Sequence, residues 1–420
     1  MRQSSGRPDF SVGIIALPIL LFPGSTVSAQ APGSDAGPFI RSAPVSMAEL
    51  AKLRSGGVSA VEVSDYACGG YFGEFPAPPH ADGNPRKAIV VVWKDLPQRL
   101  VFSHEASYCP WLELPSGAAV SFQFWEGNDG WAELFNQWGR QERNSFVDVP
   151  EAGPERVRIR WTYFGVNQES GRPAYRATED FWAFPNGLVL RRQAYRTLLP
   201  GKHEGYAREP IELIGIVPAG KGWADVLRPG PEEGERHALA VLDPFSENRY
   251  DVFWATKVVR SSDPAHRRAG CAWKALDDAA GVAMILPLAG GAPFVAFGDA
   301  SGFPHDGTRI KEHTFPDTGG LGWGSSTWDH WPVGWLNSQG HPVDAASAGK
   351  FPGHFSPAGM DFFALPDETV ERMECWSLMG VGGEAGDGED VRSTARKWLE
   401  AGAKGVTNPD EVAKFVGFKK

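Results

Sequence analysis

Residues 155–166 read ERVRIRWTYFGV, and the fold class turns on this stretch. Val157, Ile159, Trp161 and Tyr163 alternate with Arg158, Arg160 and Thr162. Because a strand turns successive side chains to opposite faces, the pattern predicts a long strand with one apolar and one polar side. The chain then runs through AYRATEDFWAF (174–184), Pro185-Asn186-Gly187 and LVLRRQAYRTLL (188–199). Two strand-like runs around an Asn-Gly pair predict a hairpin, since both residues tolerate the positive φ angles of a tight turn.

Outward from this hairpin the texture is the same. AIVVVW (88–93), LVFSH (100–104) and AVSFQFW (119–125) are β-branched and aromatic runs, and further strands are predicted at 210–217, 236–243, 250–260, 281–288 and 293–297. Helical periodicity is confined to 46–56, where Ser46 is the N-cap and Glu49 holds the capping-box position, and to 390–403 and 408–416. No repeat recurs at a fixed period of about 40–50 residues, which argues against a propeller. The expected fold is all-β: one large antiparallel β-supersandwich over residues 46–420, with a few peripheral helices, the last of them C-terminal.

Composition agrees. The chain has 420 residues, of which 50 are Gly and 34 are Pro, a turn-rich content that leaves room for few long helices. A net charge of −10 argues against nucleic acid as the main partner, because phosphate affinity needs a basic face. Sixteen Trp against 8 Tyr suits sugar binding, in which an indole stacks on a pyranose. Burial of the same indoles in the core is the alternative.

The N-terminus reads as an export signal over residues 1–29. Arg2 and Arg7 precede the apolar run Val12–Phe22, and Val27-Ser28-Ala29 offers small residues for cleavage. That run is shorter than the roughly 20 residues a spanning helix needs, so no membrane span is expected. Residues 30–45 (QAPGSDAGPFIRSAPV) read as a flexible leader. The expected location is secreted or periplasmic, where Cys68, Cys109, Cys271 and Cys375 could form disulfides; three pairings are open, and buried thiols are the alternative.

Residues 298–361 hold five of the ten His and four of the 16 Trp among many Gly and Pro. A connection of this length is read as functional. Trp328-Asp329-His330-Trp331 sets one imidazole between two indoles, with Asn337, His341 and His354 downstream. The spacing of His330, His341 and His354 fits no standard zinc motif, so no metal site is expected.

Four segments together resemble a group of secreted proteins with the galactose-mutarotase-like β-supersandwich, related in architecture to several polysaccharide lyases. They are SYCPWLELPSGAAVSFQFWEG (107–127), VRIRWTYFGV (157–166), TEDFWAFPNGLVLRR (178–192) and DHWPVGWLNSQG (329–340). The group carries a Trp-Arg-Tyr-like strand and Asn-His-Trp-Pro-Val. Here the corresponding segments are Trp161-Thr162-Tyr163, with its arginine at Arg160, and Asp329 before His330.

The resemblance implies an exported lyase that cleaves a uronic-acid-containing polysaccharide by β-elimination. Such an enzyme must neutralise the C5 carboxylate, abstract the α-proton and protonate the leaving oxygen. On this reading His330 abstracts the proton, its ordinary pKa making it the easier base, and Tyr163 protonates the leaving group. Asn136, Arg140, Arg160, Arg176, Glu179, Trp328, Trp331, Asn337 and His354 would bind substrate. Arginines suit the carboxylates through bidentate hydrogen bonds. No cofactor is required, although a divalent cation could serve a structural or neutralising role. The expected partner is an acidic polysaccharide or oligosaccharide, and the oligomeric state is open. Two alternatives stand beside the lyase. One is a glycoside hydrolase using paired carboxylates drawn from Glu126, Glu179, Asp180 and Asp329. The other is a non-catalytic carbohydrate-binding exoprotein.

Overall fold

Alternation builds the sheets. A computed structural model describes residues 46–50, 57–66, 86–103, 110–122, 125–127, 132–133, 145–167, 172–198, 207–217, 221, 223–247, 249–255, 281–298, 305–312, 353–364, 371–382, 388–401 and 408–412. The strands of the first half are β1 (Val58–Tyr66), β2 (Arg86–Trp93), β3 (Arg99–Ser103), β4 (Trp111–Glu113), β5 (Ala119–Phe122), β6 (Glu126–Gly127), β7 (Ala132–Glu133), β8 (Ser145–Ala152), β9 (Val157–Asn167) and β10 (Pro173–Ala183). The second half adds β11 (Val189–Thr197), β12 (Ala207–Val217), β13 (Arg228–Pro229), β14 (Glu235–Leu242), β15 (Arg249–Ala255), β16 (Gly281–Ile285), β17 (Ala292–Gly298), β18 (His305–Glu312), β19 (Gly353–Ala364) and β20 (Arg372–Gly382).

Their pairings are antiparallel and define two large sheets. One runs β8–β9–β10–β11–β20–β17–β16–β14–β15. The other runs β1–β2–β3–β4–β5–β12–β19–β18. The short strands β6 and β7 link them, β6 pairing with β12 and β7 with β9. The fold is therefore an all-β antiparallel supersandwich, as expected.

The predicted hairpin is present. Gly187 takes φ +87°, its N–H bonds the Phe184 carbonyl at 3.0 Å, and the Asn186 side-chain oxygen accepts the Leu188 N–H at 3.1 Å. From this turn the register follows, pairing Ala183 with Val189 and Arg176 with Arg196.

Apolar rows from both sheets fill the space between them. Val157, Ile159, Trp161 and Tyr163 of β9 belong to the same cluster as Val91, Phe102 and Phe122 of the second sheet. Removing each large apolar side chain from water stabilises the fold by about 1.5–3 kcal/mol. On its other side, the first sheet is covered at one end by helix α3 (Glu389–Glu400), numbered after α1 (Met47–Leu50) and α2 (Trp223–Val226). Val391, Ala395 and Trp398 of α3 pack on Leu190, Phe294, Ala296 and Leu378, and Val412 of α4 (Pro409–Val412) joins them. At the N-terminal helix, the Ser46 N–H donates to Glu49 Oε2 at 3.1 Å, half of the expected capping box.

Several strands depart from the sequence reading. β1, β8 and β20 were not anticipated. β1 carries the apolar alternation Val61, Val63 on one face, yet its Ser and Glu residues obscure the signal. Residues 298–361 are not one continuous connection, for His305–Glu312 and the residues from Gly353 are strands of the second sheet. The stretch 313–352 between them lies outside the described residues, as do 1–45 with the signal and leader readings.

Candidate functional site

The four central strands β9, β10, β11 and β20 present two faces of opposite character. Odd-numbered residues face the second sheet. The row Tyr163–Ala177–Tyr195–Met373 crosses all four strands, and Trp161–Glu179–Gln193–Cys375 lies next to it. Every member of both rows is buried.

Polar groups on this inner face are locked together. The Tyr163 hydroxyl donates to Glu179 Oε1 at 2.6 Å and accepts the Trp125 N–H at 2.7 Å. Arg191 donates through Nε to Glu179 Oε2 at 2.7 Å and through its terminal nitrogen to the Phe122 carbonyl at 2.9 Å. Arg191 and Glu179 are both fully buried, and the Tyr175 hydroxyl donates to the Trp125 carbonyl. A buried charge persists only when paired and hydrogen-bonded, which this network provides. Burial pushes the Tyr163 phenol well above its ordinary value, and the neighbouring Glu179 carboxylate adds to the rise. Burial also raises Glu179, against the pull of Arg191, Tyr163 and Gln193.

This face corrects two expectations. Tyr163 was placed as the acid to the leaving group and Glu179 among the substrate-binding residues. The structure buries both between the sheets, on the inner face of β9 and β10. The cause is the alternation itself: Tyr163 shares parity with Val157, Ile159 and Trp161, whose burial carries it inward. The paired carboxylates of a hydrolase lose Glu179 for the same reason.

Even-numbered residues point the other way. Asp180, 1% exposed, takes Arg158 Nε at 2.9 Å and Arg160 through Nε at 2.9 Å and a terminal nitrogen at 3.1 Å. Arg192 approaches Asp180 at 3.9 Å and donates to Glu374 at 2.5 Å, and the Trp376 indole donates to the same Glu374 at 2.8 Å. Trp182 stacks on Trp376 with ring centroids 5.7 Å apart and planes 10° from parallel. Arg158 lies over Trp182 and Arg192 over Trp376, a cation–π arrangement at each end. Burial opposes ionisation of Asp180, yet the hydrogen bonds and charges of Arg158 and Arg160 hold its carboxyl below the ordinary value. Glu374 is likewise held low by Arg192 and Trp376 against its burial. Arg160, expected to grip substrate, is thus already paired.

Beyond this compensated band the face opens into a groove of about 540 Å3. It is lined by Arg176, Thr178, Arg192, Ala194, Arg196, Arg372 and Glu374, together with Tyr195 and Met373. Of the expected substrate-binding residues that the structure describes, Arg176 is the one placed here. Arg196, Arg372 and Glu374 were missed, although the hairpin register puts Arg196 opposite Arg176 and so was readable from the turn.

Of the remaining anticipated residues, His354 lies on β19 in register with Ile216 of β12. Asn136, Arg140, Trp328, His330, Trp331 and Asn337 lie outside the described residues. Cys375 is buried on β20, and Cys68, Cys109 and Cys271 also lie outside. Among the described residues no group of three or more His, Cys, Asp or Glu is placed to hold a metal ion.

No protein-family model and no curated protein matches this sequence. Among solved structures, the chain is similar to galactose 1-epimerase from Lactobacillus acidophilus NCFM, at 10% identity and a TM-score of 0.29, over 74% of this chain and 98% of that one. It is also similar to the GalM/aldose epimerase homologue from C. elegans, at 9% identity and a TM-score of 0.24, over 69% and 96%.

Proposed function

We propose that the protein is an exported polysaccharide lyase that engages uronate carboxylates in the groove across β10, β11 and β20. One observation carries the reading. Arg176, Arg192, Arg196 and Arg372 line a single open groove, and among the described residues its one carboxylate is Glu374. Guanidinium groups in that arrangement suit carboxylates, and holding the C5 carboxylate by hydrogen bonds is the first requirement of β-elimination because it acidifies the α-proton. His330 is retained in the proposal as the proton abstractor. With Tyr163 sequestered, protonation of the leaving oxygen falls to water or to another residue.

A second reading has its own support. Among the described residues lining the groove, none is a histidine, and the one carboxyl is held low by its partners. A non-catalytic protein that binds acidic polysaccharide needs only the arginines. One assay separates the readings. The full chain is incubated with polygalacturonate, alginate and hyaluronan while ultraviolet absorbance reports the new C4–C5 double bond. The lyase predicts rising absorbance that His330→Ala abolishes. Reducing ends without absorbance would mean a hydrolase, and binding with neither would mean the non-catalytic protein.

A further inference from the structure

The groove's arginines are not scattered; they form a row. Strand register sets Arg176 directly opposite Arg196, and Arg196 directly opposite Arg372. The three sit on consecutive strands β10, β11 and β20, all on the same face and all exposed. Neighbouring strands lie about 4.8 Å apart, so the row advances one positive charge per strand.

Like charges directly opposite on adjacent strands destabilise a sheet. Further along the same strands that problem is solved within the protein, because Asp180, two rows away, and Glu374, one row away, sit among Arg158, Arg160 and Arg192. Nothing equivalent serves the Arg176–Arg196–Arg372 row, which has no ion-pair partner among the described residues. The intervening row, Thr178–Ala194–Glu374, has small members at two of its three positions and so keeps the floor of the groove low. Among the described residues the result is a linear array of guanidinium groups without ion-pair partners, each exposed.

Resting on the uronate reading above, we infer that this row is a specificity device for runs of contiguous uronates. The polymer crosses the strands at right angles, from Arg176 to Arg372, with about one strand spacing per sugar ring. Consecutive uronates bring one carboxylate per ring and engage all three arginines. A polymer in which uronate alternates with a neutral or amino sugar brings a carboxylate only every second ring. It engages Arg176 and Arg372 and leaves Arg196 unanswered. Arg196 is therefore the residue that distinguishes the two.

The test measures equilibrium binding of the full chain to two probes of equal length at low salt: an oligogalacturonate, with contiguous carboxylates, and a hyaluronan oligosaccharide, with alternating ones. The expected result is at least about tenfold tighter binding of the oligogalacturonate, a difference of about 1.4 kcal/mol. Arg196→Gln should remove that preference while changing hyaluronan binding by less than about twofold. It should also lower the slope of log affinity against log salt by about one for the oligogalacturonate, as the loss of one ionic contact does. Arg372→Gln should weaken both probes, and Lys87→Gln on the other sheet, an equal change in net charge, neither. These exposed Arg→Gln changes keep the side-chain stem, and a far-ultraviolet circular dichroism spectrum matching the parent confirms the fold. Equal affinity for the two probes, or an Arg196→Gln protein that keeps the preference, overturns the row while double-bond formation on any uronate polymer leaves the lyase standing. An oligothymidylate of equal charge binding as tightly as the oligogalacturonate would also overturn it. Failure of every acidic saccharide to bind removes both the row and the function it rests on.

Discussion

Replacing Tyr163 with Phe deletes one oxygen from the interior and tests where that oxygen works. The hydroxyl accepts the Trp125 N–H at 2.7 Å and donates to Glu179 at 2.6 Å, and its residue is fully buried. Phe fills the same space, so no cavity term enters. The loss is one backbone donor left unpaired, at about 1–3 kcal/mol, and one hydrogen bond to a buried carboxylate, at about 1.5–3 kcal/mol. A destabilisation of about 3–4 kcal/mol is expected. For a unit of this size each kcal/mol lowers Tm by about 2 °C, giving a fall of about 6–8 °C. Urea unfolding followed by tryptophan fluorescence should show a lower midpoint with an unchanged m value. Turnover of the folded fraction, measured well below the transition, should stay within a few-fold of the parent. The opposite pattern, an unmoved midpoint with activity lost on the order of 10²-fold, would show that the phenol reaches substrate and would refute the buried placement.

Stability should fall in acid. Asp180, Asp251 and Glu374 are each held below their ordinary values by arginine or histidine partners, so the unfolded chain takes up protons before the native one. Their contribution is fully present above the ordinary carboxylate range and is lost as pH drops below about 4, which a series of thermal melts would reveal. Asp180→Asn should flatten that decline. Gly187→Ala should cost about 1–2 kcal/mol in the same urea assay, since φ +87° is strained for any residue with a Cβ, which would also stand 2.5 Å from Leu96 Cδ1. Trp398→Ala, emptying a fully buried site under α3, should cost about 3–5 kcal/mol, and a change below about 1 kcal/mol would mean that the helix does not seal the sheet.

Much of the scaffold was legible in the residues because periodicity is a local property. The alternation of Val157, Ile159, Trp161 and Tyr163 predicted the strand, Asn186-Gly187 predicted the turn, and with the turn came the pairing of β10 with β11. Alternation also divided the arginines of β9 cleanly from its aromatics. It could not say which of the two faces would meet the second sheet, and that choice decides whether Tyr163 is a reagent or a core residue. Burial settled it: the apolar row gains most by leaving water, so Tyr163 and Glu179 went inside and the arginines stayed out. Nor did any local signal bring β20 beside β11. Met373 and Cys375 alternate with Arg372 and Glu374 much as in β9, but nothing in that run names its neighbour, which lies about 180 residues earlier in the chain. Arg372 acquires its place beside Arg196 through that long-range pairing alone. The sequence by itself determined that there would be strands with an apolar and an arginine-bearing side. The tertiary structure decided which side is open and which arginines stand in line, because both depend on contacts that form only when the two sheets close on each other.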